Sequence, residues 1–156
     1  MGILLVRHAR AGQRHRWKGD DRLRPLSKKG RVQAAALPAL IEPWTSARPP
    51  VLLSSPWVRC VETLGPLAAA LDVPVETEDI LGEGMGPKAV EALGRWLSRR
   101  PTVVCSHGDV IEEILTTLAA SGVDLGAAPS AAKGSVWVLD GSRGAVRRAR
   151  YLPPLA

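Results

Sequence analysis

Short apolar runs alternate with stretches of helical periodicity along this chain. Residues 2–6, Gly-Ile-Leu-Leu-Val, are an almost uninterrupted apolar run and predict a buried strand. The polar, basic stretch 9–27 predicts a long loop, a length that in compact domains marks a functional or a disordered segment. Ser27 is placed to cap a helix that runs through Val32, Ala34 and Leu37 to about Ile41, with Pro38 working against its last turns. Residues 43–50 read as a connection because they hold Pro43, Pro49 and Pro50. Val51–Ser54 predicts a second strand, followed by a helix from about Pro56 to Leu71. Pro56 suits a first turn, and Pro66 predicts a kink or break. Val75–Thr77 predicts a short strand, 81–87 a turn, and the spacing of Val90, Leu93 and Leu97 a helix over Lys88–Arg99. Val103–Cys105 predicts a further core strand and Asp109–Ala120 a helix. Val136–Leu139 and Ala145–Tyr151 flank Asp140-Gly141 and predict a closing hairpin.

Strands alternating with helices predict an α/β fold, a three-layer α/β/α sandwich around a mostly parallel central sheet that the hairpin makes mixed. No repeat, low-complexity tract or linker divides the chain, so residues 1–156 read as a single domain. No apolar run approaches the roughly 18 residues of a membrane span, so no membrane partner is expected. The N-terminus lacks a basic segment before its apolar run and does not read as a signal peptide. Cys60 and Cys105 show no metal-pair spacing, and reduced thiols in a cytoplasm are expected.

The net charge of +6 becomes informative through its distribution. Between Arg7 and Arg31 lie ten Arg or Lys residues against only Asp20 and Asp21. A cationic segment directly after a strand end suits an anionic substrate; the plainer alternative is a solvated basic loop. The same charge could serve nucleic acid, but the basic residues gather beside the inferred pocket and no nucleic-acid motif is present, which disfavours that partner. Nothing in the pattern speaks to oligomeric state.

Candidate chemistry sits where apolar runs end. The first run delivers Arg7 and His8, the second is followed by Arg59, and the run at Val103 delivers His107 and Gly108. Open α/β sheets place their ligand crevices at such strand ends. Transfer of a phosphoryl group to the protein needs a nucleophile, cations on the non-bridging oxygens and an acid for the leaving group. Arg binds phosphate bidentately and stays charged. Histidine attacks only as neutral imidazole, and Arg7 and Arg59 nearby should disfavour its protonated form. Gly108 would let the backbone approach a phosphoryl oxygen at a helix start. Cys105, His107 and Asp109 alternate as metal ligands could, but two arginines beside the histidines would repel a cation, so no metal and no cofactor are expected.

These residues, in this order, resemble the histidine phosphatase superfamily, whose fold is phosphoglycerate mutase-like. The resemblance is carried by Arg7-His8-Ala9, by Leu26-Ser27-Lys28-Lys29-Gly30, by Ser55-Pro56-Trp57-Val58-Arg59-Cys60-Val61-Glu62-Thr63 and by Ser106-His107-Gly108, and spans about residues 2–140. Ala9 stands where the family usually has Gly. The resemblance implies that His8 accepts the phosphoryl group while Arg7, Arg59 and His107 bind its oxygens. It also makes Glu83, in Leu81-Gly82-Glu83-Gly84, a candidate general acid, with a solvated loop glutamate as the alternative. Two groups are most similar: the small SixA-like phosphohistidine phosphatases, and the phosphatase domain that accompanies a Nudix domain in actinobacterial MutT-type proteins. No Nudix segment occurs in these residues. Arg10, Lys18 and Arg24 are candidates for contacts to a second phosphate or a flap.

The implied activity is metal-independent hydrolysis of a phosphate ester or phosphoramidate through phospho-His8, on a small phosphorylated molecule such as a nucleotide, or on a phosphohistidine protein. Two alternatives remain. A phosphoglycerate mutase-type phosphotransferase would need substrate-clamping segments for which 156 residues leave little room. A non-catalytic module binding a phospho-ligand or nucleic acid would not need the intact set of four residues.

Overall fold

The computed structural model describes residues 2–97, 100–126 and 131–156. Six strands, β1 (Gly2–Arg7), β2 (Val51–Ser54), β3 (Val75–Thr77), β4 (Thr102–Ser106), β5 (Val136–Ser142) and β6 (Ala145–Leu152), form one sheet in the order β3-β2-β4-β1-β5-β6. The β3–β2, β2–β4 and β4–β1 pairs are parallel; β1–β5 and β5–β6 are antiparallel. The helices are α1 (Lys28–Thr45), α2 (Val58–Leu71), α3 (Gly86–Leu97) and α4 (Gly108–Ala120). The fold is therefore the expected three-layer α/β/α sandwich around a mixed, mostly parallel sheet.

The layers follow from the two-residue period of a strand. Leu4, Val6, Leu52, Val103 and Cys105 face one side and pack with Leu37 and Ile41 of α1 and Leu64 and Leu67 of α2. Ile3, Leu5, Leu53 and Val104 face the other and pack with Leu93 and Trp96 of α3 and Ile111, Ile114 and Leu115 of α4. Both faces of the central strands are covered, which explains why their sequences are apolar throughout rather than alternating.

Several boundaries differ from the sequence expectation. Helix α1 runs on to Thr45 through Pro38 and Pro43, and α2 stays continuous through Pro66. An interior proline costs about 3 kcal/mol. Burying Leu64 and Leu67 on α2 contributes about 1.5–3 kcal/mol per side chain and offsets its one proline, and Leu37 and Ile41 with the rest of the buried stripe of α1 offset a cost of the same order for its two. Helix α2 begins at Val58 with Trp57 as its cap, so Pro56 lies before it. Helix α3 begins at Gly86 instead of Lys88; residues 98 and 99 of the expected helix lie outside the described residues. The loop 9–27 contains two 3-10 turns, Arg14–Arg16 and Asp21–Leu23. The hairpin turns at Arg143-Gly144, both at positive φ (54° and 74°), as a two-residue turn of this kind requires. Asp140-Gly141, the expected turn, instead forms an irregularity within β5, where Gly141 lies against the Ala145 backbone.

Two helical glycines make opposite predictions. A Cβ on Gly30 would lie 1.8 Å from the Arg10 carbonyl oxygen, whereas one on Gly65 meets nothing within 4 Å. Gly30→Ala should lower stability by about 1–3 kcal/mol or more through overpacking. Gly65→Ala should raise it by about 0.5–1 kcal/mol. Urea unfolding of both variants checks the pair, and equal shifts would contradict this packing.

Candidate active site

The C-terminal ends of β1, β4 and β2 open side by side, and backbone hydrogen bonds continue the sheet just past them. His8 N–H donates to the Ser106 carbonyl at 3.0 Å, Ser55 N–H to Cys105 at 2.9 Å, and Arg7 N–H to Ser135 at 3.1 Å. The residues leaving each strand are thereby fixed. Of the sequence candidates, Arg7, His8, Arg24, Glu83, His107 and Gly108 line one cleft of about 590 Å³. Arg59, in the first turn of α2, is fully buried and touches the Glu83 side chain at that cleft.

His8 is nearly buried, and its Nδ1 lies 2.7 Å from the Ala9 carbonyl oxygen. A carbonyl only accepts, so Nδ1 carries the proton and Nε2 keeps the lone pair. Burial pushes the ring's pKa down to about 3, against the Ala9 hydrogen bond and helped by His107, Arg59 and Arg7. The sequence argument assigned this effect to the arginines; burial is the larger cause. Ala9 N–H donates to Thr63 Oγ1, whose hydroxyl donates to the Arg59 carbonyl, which ties the His8 segment to α2.

His107 stands edge-on to His8, with ring centroids 5.4 Å apart, and packs against Trp57 at 5.2 Å. Its Nε2 lies 2.8 Å from Ser55 Oγ, which accepts the Trp57 N–H. The Ser55 proton can then go to Nε2, leaving Nδ1–H as the donor, 3.5 Å from Glu83 Oε1. Cys60 Sγ lies 3.6 Å from the same Nε2; both cysteines are free and buried, and burial pushes the Cys105 thiol up.

The guanidinium groups are held by carboxylates on two loops. Arg59 donates to the Asp21 carbonyl (2.9 Å), to Asp21 Oδ2 (3.1 Å) and to Glu83 Oε1 (2.6 Å). Arg24 donates to Asp21 Oδ1 at 2.8 Å and to the Gly12 carbonyl, and Arg14 reaches Glu83 Oε1 at 2.9 Å. Burial of the Asp21 carboxyl is outweighed by Arg24, Arg59 and Arg14, which hold it below the usual carboxylate range. Arg7 is held differently. It donates to the Ala131 carbonyl at 2.6 Å and lies over Gly108, where a Cβ would come within 2.9 Å of the guanidinium. Gly108 therefore makes room for Arg7, a role the sequence reading assigned to a phosphoryl oxygen.

Five buried side-chain nitrogen or oxygen atoms have no hydrogen-bond partner among the described residues, and three of them are here: Arg7 Nε, Arg59 Nε and His107 Nδ1. Buried donors left without acceptors are costly, and a set of them in one cleft suits an anion. Glu83 is positioned by the Arg59 and Arg14 contacts to Oε1, so Oε2 is its oxygen free of both guanidinium groups.

The remaining sequence candidates lie elsewhere. Arg10 lines a neighbouring cleft with Lys29, Gln33 and Lys133, and Lys18 is exposed on the loop and lines neither. Sequence reasoning missed Arg14 and Lys133, which line the cleft, Asp21, which holds Arg24 and Arg59, and Ser55 and Thr63, which bond to His107 and to the Ala9 N–H. Burial, then the fields of Arg7, Arg24, Arg10 and Arg59, push the Lys133 pKa down. The signal for Asp21 was present in the sequence as one of only two acids in the basic stretch.

Fold and cleft together define the class, an α/β protein with a cationic, histidine-bearing crevice at its strand ends. Residues 3–87 match the family model of the histidine phosphatase superfamily (branch 1). The chain is 37% identical, over 97% of its length, to the 8-oxo-(d)GTP phosphatase of Mycolicibacterium smegmatis. It spans about half (48%) of that relative. The solved protein histidine phosphatase SixA complexed with tungstate superposes with a TM-score of 0.75 at 16% identity, covering 97% of this chain and 94% of that one. A SixA-type protein of Agrobacterium tumefaciens gives 0.76 at 22% identity, covering 99% and 97%. The chain belongs to the histidine phosphatase superfamily.

The His8 environment has a measurable pH consequence. Its folded pKa of about 3 lies below the ordinary 6.5, so the unfolded chain binds the extra proton between those values. Stability should therefore fall as pH drops from 6.5 toward 3. In 15N NMR the His8 ring should stay neutral, with its proton on Nδ1, at pH 5. A midpoint near 6.5 would contradict the burial argument.

Proposed function

We propose that this chain hydrolyses phosphate esters or anhydrides of nucleotides, without a metal, through a phosphohistidine on His8. The observation that carries the proposal is the His8 tautomer. Nδ1–H is spent on the Ala9 carbonyl, and Nε2 remains a neutral nucleophile in a cleft otherwise rich in cations. Nε2 attacks phosphorus, and the bond from phosphorus to the leaving oxygen breaks. Arg7, Arg59 and the Nδ1–H of His107 hold the non-bridging oxygens as charge develops. When the phosphoryl group replaces Glu83 as the counter-ion of Arg59, Glu83 takes up a proton and gives it to the leaving oxygen; the carboxylate then takes a proton from the water that attacks phosphorus as the phosphorus–nitrogen bond breaks. That second step returns inorganic phosphate and free His8.

Two supports favour a nucleotide. Arg14, Arg24 and Lys133 line the cleft beyond the four residues one phosphoryl group needs, which suits a substrate with further negative charge. The relative that is 37% identical across nearly the whole chain is a nucleotide phosphatase, whereas the SixA structures, below 25% identity, support the fold alone.

His8→Ala should reduce nucleotide turnover by about a thousandfold or more, while EDTA leaves the wild type unchanged. Release of phosphate from a nucleotide panel is the measurement. A variant that retains activity, or a wild type silenced by EDTA and restored by a divalent cation, would refute the mechanism.

A further inference from the structure

One carboxylate oxygen already sits on the groups that hold a phosphoryl oxygen in the proposed mechanism. Glu83 Oε1 lies 2.6 Å from an Arg59 nitrogen, 2.9 Å from an Arg14 nitrogen and 3.5 Å from His107 Nδ1. Arg59 and His107 are two of the three groups assigned to the non-bridging oxygens, so Glu83 Oε1 stands where one of those oxygens would lie. The carboxylate fills this place only in part. It is planar with two oxygens, and Arg7 Nε and Arg59 Nε remain without acceptors among the described residues. Arg7 is held by the Ala131 carbonyl and not by Glu83.

The Glu83 side chain can leave without its loop opening. Gly84 N–H donates to Asp109 Oδ2 at 2.8 Å and Met85 N–H to the Gly82 carbonyl at 3.2 Å. Gly82 lies against Trp57, where a Cβ would come within 2.4 Å of the ring. The backbone on both sides of Glu83 is thus held in place. The side chain itself is 33% exposed, so rotation about its own bonds carries the carboxylate from Arg59 into water. Rotamer changes of exposed side chains are far faster than enzyme turnover.

From this overlap, and resting on the phosphohistidine mechanism above, we propose that Glu83 is an internal competitor of phosphate, whose carboxylate returns to Arg59 and Arg14 after hydrolysis and expels the product. Inorganic phosphate offers Arg7, Arg59 and His107 the same oxygens as the substrate does, so a clamp built for the substrate would also retain the product. A substrate has a remainder that can reach Arg24 and Lys133 along the cleft, and inorganic phosphate has none. The substrate therefore displaces the carboxylate, and the carboxylate displaces the product. A site occupied part of the time by its own side chain binds an external anion more weakly by the fraction of time it stands vacant. Glu83 is in this way a product-release residue as well as the acid.

Glu83→Gln keeps the size of the side chain and removes its charge. Calorimetric titration with inorganic phosphate should give a Kd at least fivefold tighter than that of the wild type. Inhibition of turnover by phosphate should tighten in parallel, while kcat falls because the acid is lost. A second measurement needs no variant: a crystal structure of the wild type with phosphate should place a phosphate oxygen on Arg59 and the Glu83 carboxylate beyond hydrogen-bond reach of it. Equal or weaker phosphate binding by Glu83→Gln, or a phosphate complex in which Glu83 stays on Arg59, would overturn the competition while leaving the phosphatase mechanism standing. A wild type that neither binds phosphate nor hydrolyses any phosphorylated compound would remove the mechanism beneath it.

Discussion

The site depends on accommodating a fully buried guanidinium. Arg59 has no solvent exposure and sits at the start of α2, where three strand ends converge. A charge there is tolerable only with close partners, because desolvation costs several kcal/mol per ion. Asp21 and Glu83 supply them, each from a different loop. Asp21 also binds Arg24 and faces Arg14 at 3.6 Å, so one carboxylate links the basic stretch to the cleft and to α2. The long loop after β1 is ordered around this point. Arg59 Nε within this network, and Arg7 Nε and His107 Nδ1 beside it, are buried without acceptors among the described residues, an arrangement that suits an anion.

Burial is the second consequence of placing the site at the strand ends. The sheet that fixes His8 through its N–H to Ser106 also withdraws its ring from water. In that setting neutrality is the low-energy state of the imidazole, and the Ala9 carbonyl selects which nitrogen keeps the proton. On the proposed mechanism, His8 then needs no base to deprotonate it before attack. Gly108 completes the arrangement by letting Arg7 lie directly over the start of α4.

Much of this was legible in the sequence because it follows strand order. Apolar runs ending in Arg7-His8, in Ser54 and in Ser106-His107 imply parallel strands with their carboxyl ends together, and the sheet order places β1, β4 and β2 side by side. What was not legible arises from contacts across long stretches of chain. Lys133 reaches the cleft more than a hundred residues after His8, and Ser55 matters only because His107 lands on it. Asp21 and Arg14 looked like surface charges in a basic loop until Arg59 and Glu83 were placed beside them. Pro38, Pro43 and Pro66 misled because local propensity was outweighed by the buried stripes of α1 and α2. The hairpin offered two glycine-containing dipeptides, and pairing rather than local preference chose Arg143-Gly144.

The central claim is that a buried, neutral His8 attacks through Nε2. Rapid-quench trapping during turnover, followed by mass spectrometry and 31P–15N NMR of the denatured protein, tests it most directly. The account predicts an acid-labile, base-stable phosphoryl group on Nε2 of His8, forming and decaying at rates compatible with turnover. A phosphoryl group on Nδ1 or on another residue, or turnover without a phosphoenzyme, would contradict it.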